Sequence, residues 1–173
     1  VYTIIVNSEN ETKARKSDHL EINISKNVSS ALTNGLEKYR FIHCALPELN
    51  FQEIETSITL FNRKIEYPFL ISSMTGGTKE SGRINRILAE AAQQYHLAMG
   101  VGSQRIGLED PDRMESFDIR IYAPDILLFA NIGAVQLNYS FKTEDCKKAV
   151  ESIQADGLIL HLNPLQEALM ENG

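Results

Sequence analysis

Phe69-Leu70-Ile71-Ser72-Ser73-Met74-Thr75-Gly76-Gly77 is a short apolar run that passes at once into small and hydrogen-bonding residues. The same event recurs three times. Leu97-Ala98-Met99-Gly100-Val101 leads into Gly102-Ser103-Gln104-Arg105, Ile126-Leu127-Leu128-Phe129-Ala130 into Asn131-Ile132-Gly133, and Gly157-Leu158-Ile159-Leu160 into His161-Leu162-Asn163. Between the first two runs, Ile84, Ile87, Leu88, Ala91 and Tyr95 fall on one face of a helix, and between the last two Cys146, Ala149, Val150 and Ile153 repeat that spacing. The middle crossover, Asp110 to Asp125, has Pro111 placed to open a helix and Pro124 to close one. Apolar runs alternating with amphipathic segments are the pattern of βα units and a parallel sheet.

The runs start at residues 69, 97, 126 and 157, a nearly constant period. A four-unit open sheet would use that spacing. Eight units continued from residue 69 would need roughly 300 residues, the scale of a TIM (β/α)8 barrel behind an N-terminal extension. On that reading residues 1–68 are the extension and 69–173 the first half of the barrel, so the chain is expected to belong to something longer. The extension is polar to about Arg40, with a short helix expected from Ser17 or Asp18. A β-hairpin is expected from Ile58-Thr59-Leu60-Phe61 and Lys64-Ile65-Glu66-Tyr67 around a turn at Asn62-Arg63.

The 173 residues carry 43% hydrophobic and 23% charged side chains, which suits a globular core and excludes disordered or fibrous classes. A net charge of -6 argues against a general nucleic-acid binder, which needs a basic footprint. No stretch approaches the ~20 apolar residues that span a bilayer, and Val1 to Val6 lacks the features of a secretory signal, so neither a nucleic acid nor a membrane is the expected partner and the cytoplasm is the expected compartment. Cys44 and Cys146 lie far apart without metal-site spacing and read as buried thiols.

In a parallel sheet the four polar segments share one edge, which makes that edge the candidate site, although glycines and caps also serve simply to turn a strand into a helix. Gly100-Val101-Gly102-Ser103-Gln104-Arg105 departs from the dinucleotide fingerprint where Arg105 replaces its last glycine, and no GxxxxGK[ST] loop is present. Amides at Gly76 and Gly77 are candidates for close approach to a planar cofactor or an anion. Asn163, Pro164 and Glu167 have the spacing of a helix N-cap, first position and first turn, so each has a capping role available beside any catalytic one. His161, closing an apolar run, is equally compatible with a structural or a functional part. Arg15-Lys16-Ser17-Asp18-His19 gathers two cations and an imidazole, suited to a diphosphate or to a solvated tail.

Taken together, Arg15-Lys16-Ser17-Asp18-His19-Leu20, Pro47-Glu48-Leu49-Asn50-Phe51, Ser73-Met74-Thr75-Gly76-Gly77, Gly100-Val101-Gly102-Ser103-Gln104-Arg105 and His161-Leu162-Asn163-Pro164-Leu165-Gln166-Glu167 resemble the type 2 isopentenyl diphosphate isomerases. The likeness runs from about residue 15 to the C-terminus and covers about the first half of that family, whose fold is a TIM barrel. It implies interconversion of isopentenyl and dimethylallyl diphosphate on reduced FMN, with Mg²⁺ and with NAD(P)H as the reductant of the flavin. By motif, Arg15, Lys16, His19, Arg105, Asn163 and Gln166 would bind substrate, and Met74, Thr75, Ser103 and Asn131 would line the flavin. Glu167 would hold Mg²⁺, and His161 and Gln166 would stand at the reacting carbons, Gln166 orienting or relaying a proton because a neutral amide is no strong base. The resemblance also implies a homo-oligomer, tetramer or octamer. Another FMN-dependent barrel oxidoreductase and an inactive half-barrel fragment are the alternatives. Residues 1–173 alone are expected to bind flavin weakly, the FMN phosphate being expected after later strands.

Overall fold

The computed structural model describes residue 18 and residues 20–165. The expected hairpin forms from β1 (Ile58–Leu60) and β2 (Arg63–Ile65). Its turn falls one residue earlier than expected, on Phe61 and Asn62, with φ of 50° and 60°. Two left-handed residues in a row match the twist of a two-residue hairpin, and Arg63 is thereby drawn into β2 opposite Leu60. Phe61 accepts the strained conformation while its ring meets Phe129 edge-on, centroids 5.5 Å apart. Replacing Phe61 by Ala is expected to lower stability by about 1 kcal/mol, read by denaturant titration, since such ring pairs contribute about 0.5–1.5 kcal/mol beyond their buried area.

After the hairpin the chain runs through β3 (Leu70–Ile71), α1 (Lys79–Tyr95), β4 (Ala98–Gly100), α2 (Arg105–Glu109), a 3-10 segment (Pro111–Phe117), β5 (Leu128–Gly133), a second 3-10 segment (Ala134–Asn138), α3 (Thr143–Ser152) and β6 (Gly157–His161). The strands β3-β4-β5-β6 form one parallel sheet in chain order. Because the order never reverses, the sheet has no topological switch point of the doubly wound kind. β3 is shorter than its apolar run, and Ser72 and Ser73 leave the ladder.

Alternation along the strands sorts the side chains. Met99, Val101, Leu128, Ala130 and Ile132 are buried with Ala89 and Ala92 of α1, Ala149 of α3 and Ile153 just after α3. Ala98 and Leu127 face the other way, buried with Ile65 of the hairpin and joined by Phe129. Both long helices thus cover one face, and the hairpin closes the N-terminal end of the other. That second face is concave: Ile159 Cδ1 on β6 lies 3.3 Å from where a Cβ on Gly100 of β4 would stand, two strands away.

Several expectations are corrected. The residues of α1 that are fully buried are Ser81, Asn85, Ala89 and Ala92, whereas Ile87 and Tyr95 are exposed. Small side chains let the helix approach the 111–117 segment, where a Cβ on Gly82 would come within 3.2 Å of the Ser116 backbone. Pro111 does open a helical segment, capped by the Asp110 carboxylate, but it is a 3-10 helix that ends at Phe117, well before Pro124. Cys44 is exposed and Cys146 half-buried, because residues 20–57 lie almost wholly at the surface and build no core. Among the described residues no helix is long and apolar enough to cross a membrane.

Beneath the sheet, at its N-terminal edge, three charged residues distant in sequence come together. The Asp156 carboxylate accepts from the Leu128 amide at 2.9 Å, from Arg120 Nη2 at 3.0 Å and from Arg63 Nε at 2.7 Å. Arg120 is 8% exposed. Its guanidinium also donates to the carbonyls of Ala123, Pro124, Ile126 and Gln154. This network ties the hairpin to the starts of β5 and β6.

Candidate functional site

The polar ends of the four strands meet at the opposite, C-terminal edge. Gly76 and Gly77 were candidates for ligand approach, and the structure uses both internally instead. A Cβ on Gly76, whose φ is 155°, would stand 1.9 Å from the Phe117 ring, and the Gly77 amide donates to Ser116 Oγ at 2.7 Å. The loop is held from three sides. The Thr75 carbonyl accepts from the Gly102 amide at 2.9 Å and from Asn85 Nδ2 at 3.2 Å, and the same Asn85 amide reaches the Ser116 carbonyl at 3.0 Å. Of the two side chains expected to line a flavin here, Met74 is 76% exposed and Thr75 is half-buried.

On the next loop Ser103 and Arg105 are half-buried, and Arg105 Nε donates to Glu109 Oε1 at 3.0 Å one helical turn on. Between them Gln104 is fully buried. Its Oε1 accepts from the Asn131 amide at 3.0 Å, its own amide donates to the Asn131 carbonyl at 2.8 Å, and Nε2 donates to the Ala149 carbonyl at 3.0 Å.

Asn131 ends the apolar part of β5 and is 2% exposed. Its Oδ1 lies 3.0 Å from His161 Nδ1 on β6. With a carbonyl oxygen as partner, Nδ1 carries the proton in that bond, and Nε2 is left as the ring's other working atom. Nε2 and Cε1 lie beside Gly133, 3.4 Å and 3.3 Å from where its Cβ would stand, so the glycine leaves the imidazole its room. Beyond it the chain becomes helical at Pro164, directly after Asn163, in keeping with Asn163 as cap and Pro164 as first helical residue.

Ser103, Arg105, Asn131, His161 and Asn163 are therefore carried by the ends of β4, β5 and β6 and the loops that follow them, with Met74 and Thr75 on the loop after β3. Arg15, Lys16, His19, Gln166 and Glu167 lie outside the described residues. Among the described residues no three of His, Cys, Asp and Glu cluster as a metal site. Sequence reasoning assigned no part to Gln104 or Asn85. Asn85 is visible in retrospect, since it shares a helix face with Ser81, Ala89 and Ala92; a glutamine in a polar loop gives no such signal.

The room left by Gly100 is taken by Ser73 and Ile159, and that left by Gly133 by the His161 ring. Ser73 Oγ stands 2.5 Å from the position of a Gly100 Cβ and is, among the described residues, the one buried side-chain polar atom without a hydrogen-bond partner. Hydroxyl, amide and imidazole groups edge the concave face and offer hydrogen-bonding partners to a ligand.

Comparison with known proteins gives a consistent picture. The chain is 52% identical over 164 residues to a Nostoc sp. protein named isopentenyl-diphosphate delta-isomerase, a match spanning 94% of this chain and 47% of that protein. Proteins of the same name from Rickettsia felis and Synechocystis sp. are 53% identical over 159 residues and 49% over 163, again with 46% and 47% of their lengths matched. The chain spans about half the length of the curated relatives it matches. No protein-family model matches it.

Proposed function

We propose that this chain supplies the N-terminal part of a type 2, FMN-dependent isopentenyl diphosphate isomerase, a cytoplasmic enzyme in which its four strands are the first half of a (β/α)8 barrel. The observation that carries the reading is identity of about half over nearly the whole chain to proteins bearing the isomerase name. The barrel is supported by parallel strands in chain order, helices on one face and a concave face opposite.

In this reading Met74, Thr75, Ser103 and Asn131 hold the flavin. Reduced flavin, replenished by NAD(P)H, supplies an electron-rich ring that can donate a proton to an alkene and stabilise the positive charge that develops. Arg105, Asn163 and Gln166, with Arg15, Lys16 and His19, bind the diphosphate end. Arg105 enters the site with its Nε already committed to Glu109, which fixes the plane of the guanidinium. His161 is set by Asn131, and that bond holds the imidazole in place to hold or pass a proton near the substrate. Gln166 orients. Glu167 offers Mg²⁺ one carboxylate, the usual share of a protein in a site completed by phosphate oxygens.

Two measurements test this. Titrating FMN into the intact protein should quench flavin fluorescence to a saturating endpoint, and no quenching at any ratio would remove the flavin from the account. Glu167→Gln should raise the Mg²⁺ concentration for half-maximal activity by about tenfold to a hundredfold, a charged contact being worth about 1.5–3 kcal/mol. If Glu167 only caps a helix, the variant keeps its Mg²⁺ requirement and loses about 0.3–1 kcal/mol of stability.

A further inference from the structure

We propose that Gln104 is a positioning residue of this site: its buried amide sets the main chain of Asn131, and through Asn131 the imidazole of His161, against the loop that carries Ser103 and Arg105. The turnover part of the inference rests on the isomerase reading; the coupling of Gln104 to His161 does not. Full burial places the Gln104 side chain out of reach of any ligand. It acts inward instead. Both main-chain groups of Asn131 are met by Gln104, the amide by the side-chain Oε1 at 3.0 Å and the carbonyl by the Gln104 main-chain N–H at 2.8 Å, a bond that substitutions at this position retain. The far end of the side chain is anchored on α3, where Nε2 donates to the Ala149 carbonyl at 3.0 Å with Met114 Sδ at 3.6 Å.

The side chain of the residue so gripped then holds His161 Nδ1 at 3.0 Å. One chain of hydrogen bonds thus runs from α3 through the loop after β4 and across β5 to β6. An apolar residue would fill the same space with no polar group to satisfy. What the amide adds is direction, since a buried network with every member bonded admits one arrangement.

The test uses the intact protein with Gln104→Met and Gln104→Glu. Three readouts are taken: nitrogen NMR of the His161 ring, hydrogen exchange at the Asn131 amide, and isomerase turnover. Methionine keeps the length and loses both bonds. Its His161 signals should shift, its Asn131 amide should exchange faster, and kcat should fall about tenfold to a hundredfold, the cost of a displacement near 1 Å at a reacting centre. KM should change by less than about threefold, because substrate contacts are untouched. Glutamate is the conservative partner: burial favours its protonated form, whose O–H can donate to Ala149 and whose carbonyl can accept from Asn131. It should keep the His161 signals and kcat together. A role in packing alone predicts the reverse ranking, with Met tolerated and Glu not.

A folded Gln104→Met protein with wild-type His161 signals, or with shifted signals and wild-type kcat, overturns the proposal. Should that variant not fold, Gln104→Glu decides by itself. His161 signals and turnover that are kept together or lost together support the coupling, and one changing without the other overturns it. A wild-type protein without isomerase turnover would sink the functional reading, and the His161 signals would still decide the coupling.

Discussion

Gly102→Ala is expected to cost turnover about a hundredfold and stability about 1–3 kcal/mol, although it adds a single methyl group. The Cβ it introduces would lie 2.5 Å from the Thr75 carbonyl oxygen, 2.6 Å from its carbon and 2.7 Å from its nitrogen. These are main-chain atoms, so no side-chain rotation relieves the overlap. Either the 74–77 loop or the 102–105 loop must move by about an ångström, and the Gly102 amide then loses the Thr75 carbonyl. Overpacking a close-packed interior costs about 1–3 kcal/mol, and a misplacement of that size at reacting groups costs about a hundredfold in rate. Because the Thr75 carbonyl also takes Asn85, the disturbance should spread to α1. Thermal melting together with single-turnover kinetics checks both parts, and a variant with wild-type rate would show that the two loops are not held against one another in the intact protein.

Asp156→Ala should be the more damaging change to stability, by about 3–5 kcal/mol, because it leaves the buried Arg120 without its counter-charge. It also orphans the Leu128 amide at the start of β5. Burial by itself raises the Asp156 carboxyl; the Leu128 amide, Arg63 and Arg120 outweigh it and hold the group below its ordinary value. A carboxyl depressed in the folded state contributes stability above its unfolded pKa of about 3.9, and that contribution is lost as pH falls through the lower, folded value. Urea titrations of wild type and variant should therefore differ most near neutrality and converge below about pH 4. A difference independent of pH would mean that packing, not charge, holds the hairpin to the sheet.

The parallel sheet was legible because its signal is local and repeated: four apolar runs at a near-constant period, each closed by polar residues. The inward face of α3, with Ala149 buried, Cys146 and Val150 half-buried and Ile153 buried just beyond its end, was legible for the same reason. What failed depended on contacts between distant residues. Phe61 is a poor choice for a left-handed turn on local grounds, and its ring contact with Phe129 explains why the turn nevertheless starts there. Gly76 and Gly77 looked open to a ligand, yet Phe117 and Ser116, some forty residues on, occupy the approach. The Arg63, Arg120 and Asp156 network has no sequence spacing to betray it. At the candidate site, sequence reading singled out the polar residues directly after the strands and passed over the buried amide of Gln104, because a glutamine between Ser103 and Arg105 reads as one more exposed loop residue.

The central claim is that the intact protein isomerises a homoallylic diphosphate to its allylic isomer on reduced flavin. Its most direct test is conversion of isopentenyl diphosphate to dimethylallyl diphosphate with FMN and Mg²⁺ present, assayed anaerobically before and after the flavin is reduced. The account predicts turnover only with reduced flavin and no net consumption of reductant once reduction is complete. Equal turnover with oxidised flavin, or with Mg²⁺ and no flavin at all, would contradict it.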